Sequence, residues 1–209
     1  QKVIQFIGTQ RSGSNLLRLM LNQHQGISAP HPPHILRTFM PLLSQYGDLK
    51  VIKNRFTLVD DVCRWVECNP VEWSLVNFDR DEITDKITSL LDLFEFVYEQ
   101  KCVLDQAEIW CCKSTFNIQY TSELEKVIQP FYIYLYRDGR DVATSFKKAY
   151  VGPKHIYQIA QKWYQEQMET TSFLSSLAAH RYVRISYEAL IQDPEKVLHL
   201  ICERIGIQF

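Results

Sequence analysis

"IGTQRSGSN", residues 7–15, decides how this chain is read. Gly8 and Gly13 stand at the separation of the phosphate-loop pattern G-x-x-x-x-G-K-[ST], yet the lysine position holds Ser14 and the nearest cation, Arg11, precedes the second glycine. Ahead of the loop, "VIQFIG" (3–8) is an apolar run closed by glycine. Behind it, "SNLLRLMLNQH" (14–24) sets Leu16, Leu17, Met20 and Leu21 on one helical face. Strand, glycine turn and helix make the opening unit of an α/β fold. Backbone N–H groups of such a turn, with the first turn of the helix, form an anion site whatever the side chains are. Gly13 lets an anion approach the backbone, and Ser12, Ser14 and Asn15 add side-chain donors.

Working outward, "SAPHPPHILRTF" is held extended by Pro30, Pro32 and Pro33. Residues 34 to 104 read as mostly helical, with solvated acidic faces such as "DRDEITDK". "IWCCKS" (109–114) and "FYIYLYRD" (131–138) read as further buried strands, and "RYVRIS" (181–186) as a last strand. "GRDVATSFKKAY" reads as a turn entering a helix, and 155 to 178 as a long helix. The last helix has Asp193 as N-cap, Pro194 in its first turn and Gly206 as its stop. Strands alternating with helices predict a central parallel β-sheet flanked by helices, in one domain spanning 1–209.

The composition narrows the function. An apolar share of 46% over 209 residues suits one well-buried domain. A net charge of -1 offers no extended basic footprint for nucleic acid. No transmembrane segment is expected, and no signal peptide begins near Gln1. A first residue that is not Met points to a trimmed N-terminus and leaves a removed targeting segment open. The six cysteines, at 63, 68, 102, 111, 112 and 202, have spacing that suits neither zinc nor a disulfide framework, so reduced thiols in a cytoplasmic enzyme are expected.

Metal-assisted phosphoryl transfer wants an acidic residue at the end of a neighbouring buried strand to hold Mg²⁺. "FYIYLY" delivers Arg137 first, a cation that repels Mg²⁺ and attracts a second phosphate. Arg137 at the strand exit and Ser145 in the following helix can grip one anion from two sides. Two phosphate grips without a metal site fit a nucleotide with a 5′-phosphate chain and a 3′-phosphate.

At this point the motifs resemble a known family. "GTQRSGSN" is similar to the 5′-phosphosulfate loop of sulfotransferases, and "YRDGRDVATSFKKA" to their 3′-phosphate motif. "ISYEALIQDPEKVLHLICERIGI" looks like the end of that fold. The resemblance implies the P-loop-like sulfotransferase fold and a donor, 3′-phosphoadenosine 5′-phosphosulfate (PAPS), with no metal. It places Arg11, Ser12, Gly13, Ser14 and Asn15 at the 5′ end, Arg137 and Ser145 at the 3′-phosphate, and Tyr187 near the nucleotide. Arg11 stands where the family often has lysine. No counterpart of the family's C-terminal Arg/Lys-Gly segment follows Tyr187; "KKAYVGPK" (147–154) is the candidate replacement.

Sulfuryl transfer needs cations beside the leaving oxygen and a base for the acceptor hydroxyl. Arg11 and Lys113 are the candidate cations. Some relatives place a histidine two residues after the strand-end lysine, but Thr115 occupies that position. Others draw a glutamate from the loop after the first helix, and here that loop offers His31 and His34, with His31 favoured because a proline follows it. Arg37 and Arg55 are candidates to meet an acidic acceptor. His24, His155, His180 and His199 read as structural residues on helices. The acceptor, a hydroxyl of a small molecule, carbohydrate or lipid, should enter through the 30–105 region, whose Phe39, Tyr46, Phe56, Trp65 and Trp73 are core or lining. Two alternatives remain open from sequence: a P-loop kinase with a degenerate loop, and a non-catalytic nucleotide-binding module. Oligomeric state is not legible.

Overall fold

The apolar runs read as strands pair side by side in one parallel sheet. The computed structural model describes residues 2–209. Strands β1 (Lys2–Ile7), β2 (Ile27–Ser28), β3 (Ile109–Cys112), β4 (Phe131–Tyr136) and β5 (Tyr182–Ser186) lie in the order β2-β3-β1-β4-β5. Around them run α1 (Ser14–Leu21), α2 (Ile35–Phe39), α3 (Ile52–Glu67), α4 (Arg80–Lys86), α5 (Leu90–Leu104) and α6 (Thr121–Val127). The second half supplies α7 (Gly139–Lys148), α8 (Ile156–Ser175), α9 (Tyr187–Gln192) and α10 (Pro194–Ile205).

Alternation along the strands builds two cores. Ile4 and Phe6 of β1, Ile109 and Cys111 of β3, and Ile133 and Leu135 of β4 face α1, α9 and α10, meeting Leu17, Leu21, Leu190 and Ile201. Val3, Trp110 and Cys112 face the other way, into a layer built by α2 to α6. There Phe94, Tyr98 and Trp110 pack with ring centroids 4.9 to 5.6 Å apart. Burying such a side chain stabilises the fold by roughly 1.5–3 kcal/mol each. The apolar character of β3 and β4 follows from burial on both faces, whereas the edge strand β5 leaves Arg184 exposed.

Most predicted elements are present, with strands ending slightly earlier than read: β3 stops before Lys113 and β4 before Arg137. Asp193 accepts from the Lys196 N–H at 3.1 Å, Pro194 opens α10, and Gly206 closes it at φ 71°. The two-residue β2 and the short α9 were not expected. His24 lies in the turn after α1 and accepts from the Gly26 N–H, and His155 caps α8, so neither is within a helix. Cys63, Cys102, Cys111, Cys112 and Cys202 are buried thiols and Cys68 is exposed; no disulfide joins them among the described residues. No helix among the described residues is long and apolar enough to cross a membrane.

In a parallel sheet all carboxyl ends share one edge. The chain leaves β1 toward β2 and β3 on one side, then crosses to β4 and β5 on the other, which makes β1 the switch point where a crevice opens.

Candidate active site

Four strand exits meet at that edge. The segment after β1 supplies Arg11 to Asn15, the one after β3 supplies Lys113, the one after β4 supplies Arg137, and α9 after β5 supplies Tyr187. They line a cleft of about 300 Å³. Of the residues singled out from sequence, Arg11, Gly13, Ser14, Asn15, His34, Lys113, Arg137, Ser145 and Tyr187 all line it. Ser12 and His31 do not: Ser12 is buried with its hydroxyl lacking a partner, and His31 lines a separate depression of about 530 Å³ beside α1.

The loop owes its path to its glycines. Gly8 has φ 121°, and a Cβ there would sit 2.4 Å from the Leu135 carbonyl oxygen of the neighbouring strand. Gly13 has φ 91°, and a Cβ there would fall 2.4 Å from the Tyr187 ring. Arg11 itself adopts φ 69°, a left-handed conformation that costs an ordinary residue roughly 1–2 kcal/mol. Its carbonyl accepts a 3.3 Å hydrogen bond from Arg137 Nη1, which braces the turn. Gly13 gives α1 no side-chain cap, so the first N–H groups of the helix are left for a ligand.

The loop after β1 and the helix after β4 touch. Arg11 Nε donates to Ser145 Oγ at 3.0 Å. The Arg137 guanidinium lies 4.1 Å from the centre of the Tyr187 ring, so Tyr187 is held between a cation and the Gly13 backbone. Arg137 Nε is buried without a hydrogen-bond acceptor, and Asp141 comes only within 4.0 Å of it. Asp138 is engaged elsewhere: it caps α7 and pairs with Arg140, which holds its carboxyl down at about 2. No Asp or Glu lines the cleft among the described residues.

His34 opens α2 from a left-handed conformation, φ 56°, which turns its ring toward the end of β3. Its Nδ1 lies 2.8 Å from Ser114 Oγ, and its ring packs edge-on to Phe116 at 5.3 Å. Burial, then the charge of Lys113, then His31 and Arg37, push its pKa down to about 4, so the imidazole is neutral at pH 7. His31, with ring centroid 6.5 Å from that of His34, is lowered by burial and by Lys113 and Arg18. Lys113 is held below the usual lysine value, mainly by burial and then by Arg18, with Arg11 a weaker cause. It has no hydrogen-bond or ion-pair partner among the described residues.

Arg18 was not foreseen. Its Nε donates to Asn15 Oδ1 at 3.1 Å and its Nη1 to the Ala29 carbonyl at 2.8 Å, tying the helix to the proline loop. Asn15 is thereby left with its amide N–H groups for a ligand. The signal was an arginine three residues after Asn15, a helical neighbour, amid a leucine face. Trp65 Nε1 donates to the Pro33 carbonyl at 2.6 Å and Trp73 Nε1 to that of His31 at 2.7 Å, pinning the proline loop to the helical layer. Phe39 and Trp73 are buried, whereas Phe56 and Trp65 are exposed, and Tyr46 bonds Asp61; none of the five lines the cleft. Arg55 donates to the Thr84 and Leu49 carbonyls, a tie between helices and not an acceptor contact. In the 147–154 segment Val151 lines the cleft, while Lys154 Nζ caps α7 on the Phe146 carbonyl at 3.0 Å.

Comparison with known proteins bears on these features. No curated protein matches the chain in sequence. Among solved structures, the sulfotransferase domain of the Synechococcus PCC 7002 olefin synthase superposes with a TM-score of 0.70 at 22% identity, covering 100% of this chain and 74% of that one. The sulfotransferase domain of the curacin biosynthetic pathway gives 0.67 at 23%, covering 100% and 75%. A sulfotransferase from Alicyclobacillus acidocaldarius gives 0.54 at 14%, covering 100% and 82%. These likenesses establish the fold. A family profile described as the sulfotransferase family matches residues 4–209. The chain belongs to the sulfotransferase family.

Proposed function

We propose that this chain, as one domain over residues 1–209, transfers a sulfuryl group from PAPS to an acceptor hydroxyl by in-line displacement. The observation that carries the reading is the meeting of the two clamps: Arg11 Nε bonds Ser145 Oγ in a cleft that Arg137 also lines. Its three lining cations, an uncapped helix N-terminus and the unpartnered Arg137 Nε fit a ligand with several phosphate-type groups. Among the described residues no carboxylate lines the cleft to anchor Mg²⁺, which argues against the kinase alternative.

When bound, the donor supplies the sulfuryl group and a phosphate leaving group. Arg11, Ser14 and Asn15, with the loop N–H groups, hold its 5′ end, while Arg137 and Ser145 hold the 3′-phosphate and Tyr187 borders the nucleotide. Lys113 and Arg11 meet the negative charge that builds on the leaving oxygen. His34, and not the His31 favoured by sequence, takes the acceptor proton. In the tautomer that serves, Nδ1–H donates to Ser114 Oγ and Nε2 accepts. The neutral resting state of His34 suits this role.

The test is calorimetric binding of adenosine 3′,5′-bisphosphate against ATP, without Mg²⁺, followed by sulfate transfer to alcohols and phenols. Tighter binding of the bisphosphate and transfer that His34→Ala abolishes are expected. Preference for ATP with Mg²⁺ overturns the proposal. Binding of PAPS without transfer or slow hydrolysis favours the non-catalytic module.

A further inference from the structure

We infer that Arg37 binds the acceptor, and that the acceptor carries an anionic group, a carboxylate or a phosphate, close to the hydroxyl that is sulfated. The inference rests on the sulfotransferase reading and adds its substrate class. Arg37 lies in α2, three residues after His34, the left-handed residue that precedes the helix. Both touch the same ring: His34 packs on the edge of Phe116, and the Arg37 guanidinium carbon lies 3.8 Å from its centre.

The guanidinium is oriented but chemically unanswered. Arg64, Arg80 and Arg181 pair with Asp60, Glu67 and Glu125, and Arg55 bonds two carbonyls. Arg37 has neither a hydrogen bond nor an ion pair among the described residues, and it is exposed. Stacking on Phe116 fixes the plane while leaving the N–H edges free, so little freedom is lost when a carboxylate or phosphate binds them in a fork.

Placement separates this charge from the donor cations. Arg11, Lys113 and Arg137 line the cleft and Arg37 does not. The base is therefore flanked by Lys113 on the donor side and by Arg37 outside the cleft. A cationic acceptor meets repulsion there, and a neutral one leaves Arg37 unmatched. An anionic one is anchored with its hydroxyl turned toward His34. Arg37 also contributes to the depression of the His34 pKa, so an anion on Arg37 strengthens the base when an acceptor is in place.

The experiment measures kcat/KM for sulfate transfer from PAPS to hydroxycarboxylates, to diol monophosphates and to the methyl esters of the same hydroxy acids. Wild type, Arg37→Gln and Arg37→Lys are compared, with adenosine 3′,5′-bisphosphate binding measured for each as a check on folding. An advantage of about 10- to 100-fold for one anionic class over the esters is expected, from the strength of a charge-assisted contact. Arg37→Gln should erase that ratio and Arg37→Lys keep part of it, and the class that shows it decides between carboxylate and phosphate. Bisphosphate binding with no anionic advantage, or an advantage that survives Arg37→Gln, overturns this inference alone. A wild type that fails to bind the bisphosphate overturns the sulfotransferase proposal and this inference with it.

Discussion

Arg11 Nε and Ser145 Oγ meet at 3.0 Å although 134 positions separate them in sequence. The contact joins the loop after β1 to the helix after β4. Truncating Arg11 to alanine should weaken adenosine 3′,5′-bisphosphate binding about 10- to 100-fold, the scale of a lost charge-assisted contact. Ser145→Ala should cost less. Because the two side chains share a contact, the double variant should fall short of the product of the single effects, which titration calorimetry on all four proteins would reveal. Strictly multiplicative losses would mean that the two sites act independently.

The titration of His34 depends on its neighbours. Removing the charge of Lys113, by Lys113→Met, takes away a cause that lowers the pKa and should raise it from about 4 toward the ordinary value. Proton NMR titration of the His34 ring in the free protein measures this directly. An unchanged midpoint would show that Lys113 does not bear on the imidazole.

Folding stability should follow the same ionisation. His31 and His34 both have folded pKa values below 6.5, so the native state favours their neutral forms. The stability tied to both neutral rings is complete above pH 6.5 and declines as pH falls below it, the His34 share being lost toward about 4. Urea midpoints should drop across that window, and His34→Gln should shrink the drop. An equal decline in the variant would assign it to other groups.

Gly13→Ala combines an unfavourable φ of 91° with a methyl placed 2.4 Å from the Tyr187 ring. A destabilisation of about 1–3 kcal/mol is expected, together with weaker nucleotide binding. Tyr187→Phe should be mild in both respects, since the ring that faces Arg137 remains. A Gly13→Ala protein with unchanged melting temperature and affinity would contradict the described packing.

Much of the sheet was legible because three of its strands, β1, β3 and β4, are largely apolar runs followed by a glycine or a cation, whereas β5 carries Arg184 inside it and ends at Ser186. β2 escaped because Ile27–Ser28 is too short to show a period, and α9 because Tyr187 reads equally well as the end of β5. That Arg11, Arg137 and Ser145 belong near one another was readable from the motifs, and the structure brings all three to one cleft. Which of His31 and His34 lines the cleft was not readable, since it turns on a left-handed backbone at a non-glycine residue, which no local pattern announces. Arg55 misled for a related reason: its carbonyl partners lie in α4 and before α3, and only the packed layer brings them together.

Trp65 and Trp73 hold the carbonyls of Pro33 and His31, so the loop that leads to His34 is fastened to the helical layer as well as to α1 through Arg18 and to the exit of β3 through Ser114. Reshaping α3 or the 68–79 connection therefore re-aims the His34 ring as well. On the proposed function, substrate choice and base alignment then change together, while Arg11 and Arg137, carried by the segments after β1 and β4, stay in place.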